Sequence, residues 1–100
     1  MYKGSSPTHT FNVSIDTSLI KEVKINYAQN GNVILSKRTE DCDIADGKIV
    51  TRLSQEDMFL FDGSTFVSIQ LRVLTMGGDA IVSRVISKSV AECLDDEVLV

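Results

Sequence analysis

Val67, Ile69, Leu71 and Val73 stand at every second position of the stretch TFVSIQLRVLT, residues 65–75, with Ser68, Gln70 and Arg72 between them. A period of two marks a strand with one buried face. The β-branched and aromatic residues Phe66, Val67, Ile69, Val73 and Thr75 suit a pleated surface better than a helix. At roughly 3.3 Å per residue, eleven residues extend about 36 Å, enough to cross a small two-layer domain. Shorter strands are expected on both sides of it. Phe66 and Leu74 are apolar on the opposite face, where loops or a partner are expected to cover them.

Shorter runs repeat the alternation. Residues 1–7 hold Gly4, Ser5, Ser6 and the only proline, Pro7, and read as a flexible lead-in. Phe11, Val13 and Ile15 then form the inward set of a strand over 8–14, and His9 shares their parity. Val23, Ile25 and Tyr27 define a second strand over 20–29, ended by Asn30-Gly31. That dipeptide accepts the positive φ angles of a tight hairpin, so 32–38 returns antiparallel with Val33, Ile34 and Leu35.

Residues 39–46 are expected as an acidic loop anchored by Ile44, followed by an Asp46-Gly47 turn and a strand over 48–53. Ser54 is placed to cap a short helical turn over 54–61, with Glu56 and Asp57 at its positive end. The cluster Met58, Phe59, Leu60 and Phe61 is expected to fold back as a plug on the core, with a partner-binding patch as the other reading. Gly77-Gly78 then turns the central strand into a last strand over 79–90. The sum is an all-β, antiparallel domain of about seven strands over 8–90, followed by an acidic-apolar tail over 91–100. The spacing favours a β-sandwich over a barrel without separating the two firmly.

Length changes this picture little: 100 residues bury one core without metal or disulfide staples. No apolar run approaches the ~20 residues of a membrane span, so no membrane partner is expected. No apolar run follows the N-terminal lysine, which predicts a protein kept inside the cell that makes it unless it leaves in a particle.

Charge is more informative. The net charge of −4 comes wholly from Glu92, Asp95, Asp96 and Glu97, because ten basic residues balance ten acidic ones up to Val90. With neither a basic stripe nor aromatic–basic interleaving, nucleic acid is not an expected partner.

Candidate chemistry is sparse. Glu40, Asp41, Asp43 and Asp46 resemble a calcium loop only superficially, since Ala45 occupies the third ligand position and Gly47 comes one residue late. A solvated acidic loop is the better reading. Cys42 and Cys93 lack metal-site spacing and are expected as free thiols, although the sequence allows a bridge between them. His9, the only histidine, has no identifiable carboxylate or thiol partner. Gly77-Gly78 leads from strand to strand and not into a phosphate-binding helix. Expected on these grounds is a non-enzyme with no cofactor. In the tail, Leu94, Val98 and Leu99 stand among the acids. Either this is a solvated end or a peptide that docks on a neighbouring subunit.

The segments THTF at 8–11, DTSLIKEVKINYAQNGNVIL at 16–35, LSQED at 53–57, IQLRVLT at 69–75 and VAECLDDEVL at 90–99 resemble a group of small proteins encoded in the tail regions of phages and prophages of Gram-positive bacteria. The same layout is similar to the immunoglobulin-like N-terminal module of phage baseplate upper proteins. This resemblance spans nearly the whole chain and transfers no catalytic residue. It implies an immunoglobulin-like sandwich, and a tail or baseplate structural protein that contacts itself or other phage structural proteins. It also implies a place in the bacterial host cytoplasm during assembly and then in the virion. On that view the partner-binding candidates are Phe66, Arg72 and Leu74 on the central strand and Leu94, Val98 and Leu99 in the tail. The alternative is a carbohydrate- or ligand-binding β-sandwich, disfavoured by the lack of tryptophan and by having only Tyr2 and Tyr27 as tyrosines.

Overall fold

The hairpin at Asn30-Gly31 sets the first sheet. In the computed structural model, which describes residues 1–2, 4–63, 65–83 and 86–90, Asn30 and Gly31 take φ of 53° and 78°. These mirror-image turn angles match the right-handed twist of paired strands. They join β2 (Ile20–Gln29) to β3 (Asn32–Arg38). On its other side β2 pairs antiparallel with β6 (Thr65–Thr75), from Ile20 opposite Thr75 to Ala28 opposite Ser68. The central stretch is therefore the inner strand the alternation predicted. Beyond it, β7 (Ala80–Val82) and β8 (Ile86–Val90) both pair with β6, completing a five-stranded sheet.

A second sheet has the order β1, β5, β4, from Thr8–Asn12, Lys48–Arg52 and Cys42–Ala45. Asp46 and Gly47, both at positive φ, form its hairpin turn. The fold is thus all-β, two antiparallel sheets enclosing one core. Val23, Ile25, Tyr27, Val67, Ile69 and Leu71 face Ile49 and Leu53 across it. Phe11, Val13, Ile15, Leu35 and Ile44 close its margins.

In the chain, α1 (Gln55–Phe59) connects β5 of the small sheet to β6 of the large one. Ser54 Oγ accepts from the Asp57 N–H (3.0 Å), while Asp57 Oδ2 accepts from the Ser54 N–H (2.9 Å). This reciprocal cap fixes a helix too short to persist alone. Met58 and, just past the helix, Phe61 are fully buried, as a plug requires; Leu60 remains exposed.

Two local expectations change, and two details are added. The acidic stretch 39–46 is not simply a loop: it folds as a 3₁₀ turn over Thr39–Asp41 and then as β4. Its two inward side chains, Cys42 and Ile44, were too few to show a period. The last strand is interrupted, not continuous over 79–90. At the break, the Ser83 N–H donates to the Leu71 carbonyl (2.9 Å) and the Ser83 hydroxyl accepts from the Leu71 N–H (3.0 Å). A side chain thus takes the ladder place of a backbone carbonyl. In β3, the register shifts between Tyr27 and Ala28, so Leu35 faces the core while Val33 stays exposed. Finally, Met1 packs on the core and the Pro7 carbonyl accepts from the Leu53 N–H (2.9 Å), so both ends of segment 1–7 are tied to the domain. Cys93 and the tail residues 91–100 lie outside the described residues.

Candidate functional site

Two places gather side chains of possible consequence: the outer face of the five-stranded sheet and a polar patch inside the core. On the outer face, alternation points Lys24, Arg38 and Arg72 away from Ile25, Leu35 and Leu71. The register then aligns them: Arg38 lies opposite Lys24, and Lys24 opposite Arg72. Like charges directly across strands destabilise a sheet, so this row is held by the core beneath it. Among the described residues none of the three forms an ion pair; the ion pair present joins Lys37 and Asp57. Val82 lies opposite Arg72, and Ala80 opposite Leu74, which extends an apolar margin along the row. Together they line a groove of about 320 Å³, with Glu22 and Glu40 also on its lining.

Of the residues singled out from sequence, Arg72 and Leu74 meet in this groove. Phe66 shares their face and is 66% exposed, but lies six residues from Arg72 along β6, about 20 Å away, and belongs to a different patch. Leu94, Val98 and Leu99 lie outside the described residues. The cation row was not visible in the sequence, because Lys24 and Arg72 become neighbours only through a long-range strand register.

In the interior, His9 on β1 and Tyr27 on β2 join the two sheets. His9 Nδ1 and Tyr27 Oη are 2.8 Å apart, and the rings stack with centroids 5.6 Å apart. Phe61 lies against Tyr27 in a tilted arrangement, 6.0 Å between centroids. Burial, followed by the positive charges of Lys88 and the N-terminus, holds His9 below the ordinary histidine pKa. Burial, followed by the negative charge potential of Cys42 and Asp57, pushes Tyr27 well above the ordinary phenol value. With the imidazole neutral in its Nε2–H tautomer, the phenol O–H donates to Nδ1. A neutral donor–acceptor pair of this kind packs and orients the sheets. The sequence hid it because its two members are eighteen residues apart on different sheets.

Cys42, opposite Thr51 on the small sheet, is a partly buried free thiol whose pKa burial raises, with Thr51 opposing that shift. Gln29 is buried and makes a two-way bond with Asp62: Nε2 donates to the Asp62 carbonyl (3.0 Å) and Oε1 accepts from its N–H (2.8 Å). In the acidic stretch, Asp41 accepts from the Arg38 N–H (3.0 Å) and so serves the local turn. Among the described residues no three His, Cys, Asp or Glu side chains come together as metal ligands do. No helix among them is long and apolar enough to cross a membrane. Compared with protein-family models, with curated proteins and with solved structures, the chain matches none.

Proposed function

We propose that this chain is a non-enzymatic structural or assembly protein that works through protein–protein contacts, as a phage or prophage tail or baseplate component. The observation that carries the reading is the outer sheet face, where three cations that form no ion pair among the described residues share a groove with Glu22, Glu40 and an apolar margin. Such a surface is suited to an acidic, partly apolar protein segment rather than to a small substrate. The resemblance to small phage tail-region proteins supports the same reading and adds an immunoglobulin-like arrangement of the two sheets. On this view the partners are further copies of the chain or other virion proteins, met in the bacterial host cytoplasm during assembly. Closed symmetric contacts between copies are the commonest form of such assembly.

Sedimentation equilibrium across a concentration series tests it. Reversible self-association, or co-sedimentation with the products of adjacent tail genes, is the expected result. A strict monomer that ignores those products and binds glycans overturns the reading in favour of a carbohydrate-binding module.

A further inference from the structure

The cation row on the five-stranded sheet and the excess acid of the chain are complementary in charge. Resting on the assembly reading above, we propose that the groove at Arg38, Lys24 and Arg72 receives the acidic-apolar segment 91–100 of a second copy.

The first support is charge. Up to Val90 the chain is neutral, and Glu92, Asp95, Asp96 and Glu97 carry the whole net charge of −4. The row of Arg38, Lys24 and Arg72 is the counterpart: three cations aligned across adjacent strands, with no ion-pair partner among the described residues. Carboxylates brought over such a row relieve like-charge repulsion as well as adding attraction.

The second support is chemical pattern. In the segment, Leu94 and Val98 flank the acids Asp95, Asp96 and Glu97. In the groove, Leu74, Ala80 and Val82 border the cations, and Val82 is 53% exposed. Glu22, opposite Leu74, and Glu40 also line the groove and repel acids that approach away from the cations.

The third support is reach. Val90 lies opposite Thr65, whereas the groove lies at Arg72, seven residues further along β6 and about 23 Å away. Strand β8 runs toward Thr65, away from the groove. Residues 95–97 follow Val90 by five to seven positions, a span of at most about 25 Å when fully extended. Returning over that distance would require the segment to reverse direction and run almost fully extended, a costly ordering for a chain's own acids. A second copy has no such constraint, and two copies can exchange segments reciprocally.

Charge reversal in two full-length variants provides the test. One carries Lys24→Glu and Arg72→Glu on the sheet; the other carries Asp95→Lys and Asp96→Lys in the segment. Circular dichroism melts check that both fold, as the outward-facing positions predict. Each variant alone is expected to self-associate roughly tenfold or more weakly than the unaltered chain in sedimentation equilibrium. An equimolar mixture is expected to regain association, because each variant then offers the sign the other lacks. Milder Lys24→Gln and Arg72→Gln substitutions replace the reversed pair if it melts early. An unaltered chain that stays monomeric at millimolar concentration overturns the docking, and overturns the assembly reading as well if it also ignores the products of adjacent tail genes. Self-association that neither variant weakens, or that mixing fails to restore, overturns only the docking. A monomer whose melting temperature drops with Asp95→Lys places the segment on its own chain and likewise overturns it.

Discussion

His9 and Tyr27 show how much one contact between sheets can govern. The phenol O–H donates to Nδ1 only while the imidazole is neutral; once both ring nitrogens carry hydrogen, that bond must be remade with Tyr27 as acceptor. Burial already disfavours the cation, so folded His9 titrates below its ordinary value. An unfolded chain takes up this proton from about pH 6.5 downward while the folded chain does not. The contribution of His9 is therefore complete above that pH and lost as pH falls toward the depressed folded value. Melting temperatures measured from pH 7.5 to 5 are expected to decline, and His9→Gln is expected to flatten the decline. Equal slopes in the two proteins would show that His9 is not the titrating group. Tyr27→Phe, which keeps the ring packing against Phe61 and removes the hydroxyl, is expected to cost about 1 kcal/mol at pH 7.

Helix α1 is held by a single carboxylate with two duties. Asp57 Oδ2 accepts from the Ser54 N–H and from Lys37 Nζ on β3 (2.8 Å), with the two side chains only 15% and 20% exposed. Burial raises the Asp57 pKa, but the bonds from Lys37 and Ser54 outweigh it, and the net displacement is downward. Asp57→Ala is expected to cost about 2–3 kcal/mol, combining a lost cap with a largely buried Lys37 side chain left unpaired. Ser54→Ala, which loses the cap alone, is expected to cost about 1 kcal/mol. Urea denaturation of both variants checks the ranking; equal costs would mean that the Lys37 pair adds nothing. Asp57 supports the fold above the ordinary carboxylate pKa near 3.9 and ceases to as pH falls through its lowered value, a window separate from that of His9. The cap was legible at this scale because Ser54 and Asp57 are three residues apart, as were the two tight turns and the inward set of β6. What the sequence did not disclose depends on distant partners. The Lys37 pair needs β3 beside α1, the outward turn of Val33 needs the register shift at Tyr27, and the break at Ser83 needs Leu71 across the ladder. The cation row is of the same kind: its three members are unremarkable until β2 lies between β3 and β6.

The molecule as a whole is a thin slab, with extents of 46 × 30 × 16 Å, so one layer of side chains between two sheets carries the hydrophobic stabilisation. No second core exists among the described residues to sustain either sheet separately. Ile49 is central to this layer: it is fully buried on the middle strand of the small sheet, opposite Phe11 on one side and Ile44 on the other. Truncating it opens a cavity that the paired backbones on both flanks keep from collapsing. Ile49→Ala is expected to lose about 2–5 kcal/mol, a large part of the ~5–15 kcal/mol typical of a domain this size. Val33→Ala, at an exposed apolar position of β3, is expected to change stability by less than about 0.5 kcal/mol. Because both sheets draw on the same layer, Ile49→Ala is expected to lower the midpoint of a single transition, with fluorescence of Tyr27, read in a Tyr2→Phe background, and backbone dichroism moving together. Separate transitions by the two probes would mean that the five-stranded sheet, where Tyr27 resides, holds together without the small one, and that the groove on its outer face outlasts the sandwich.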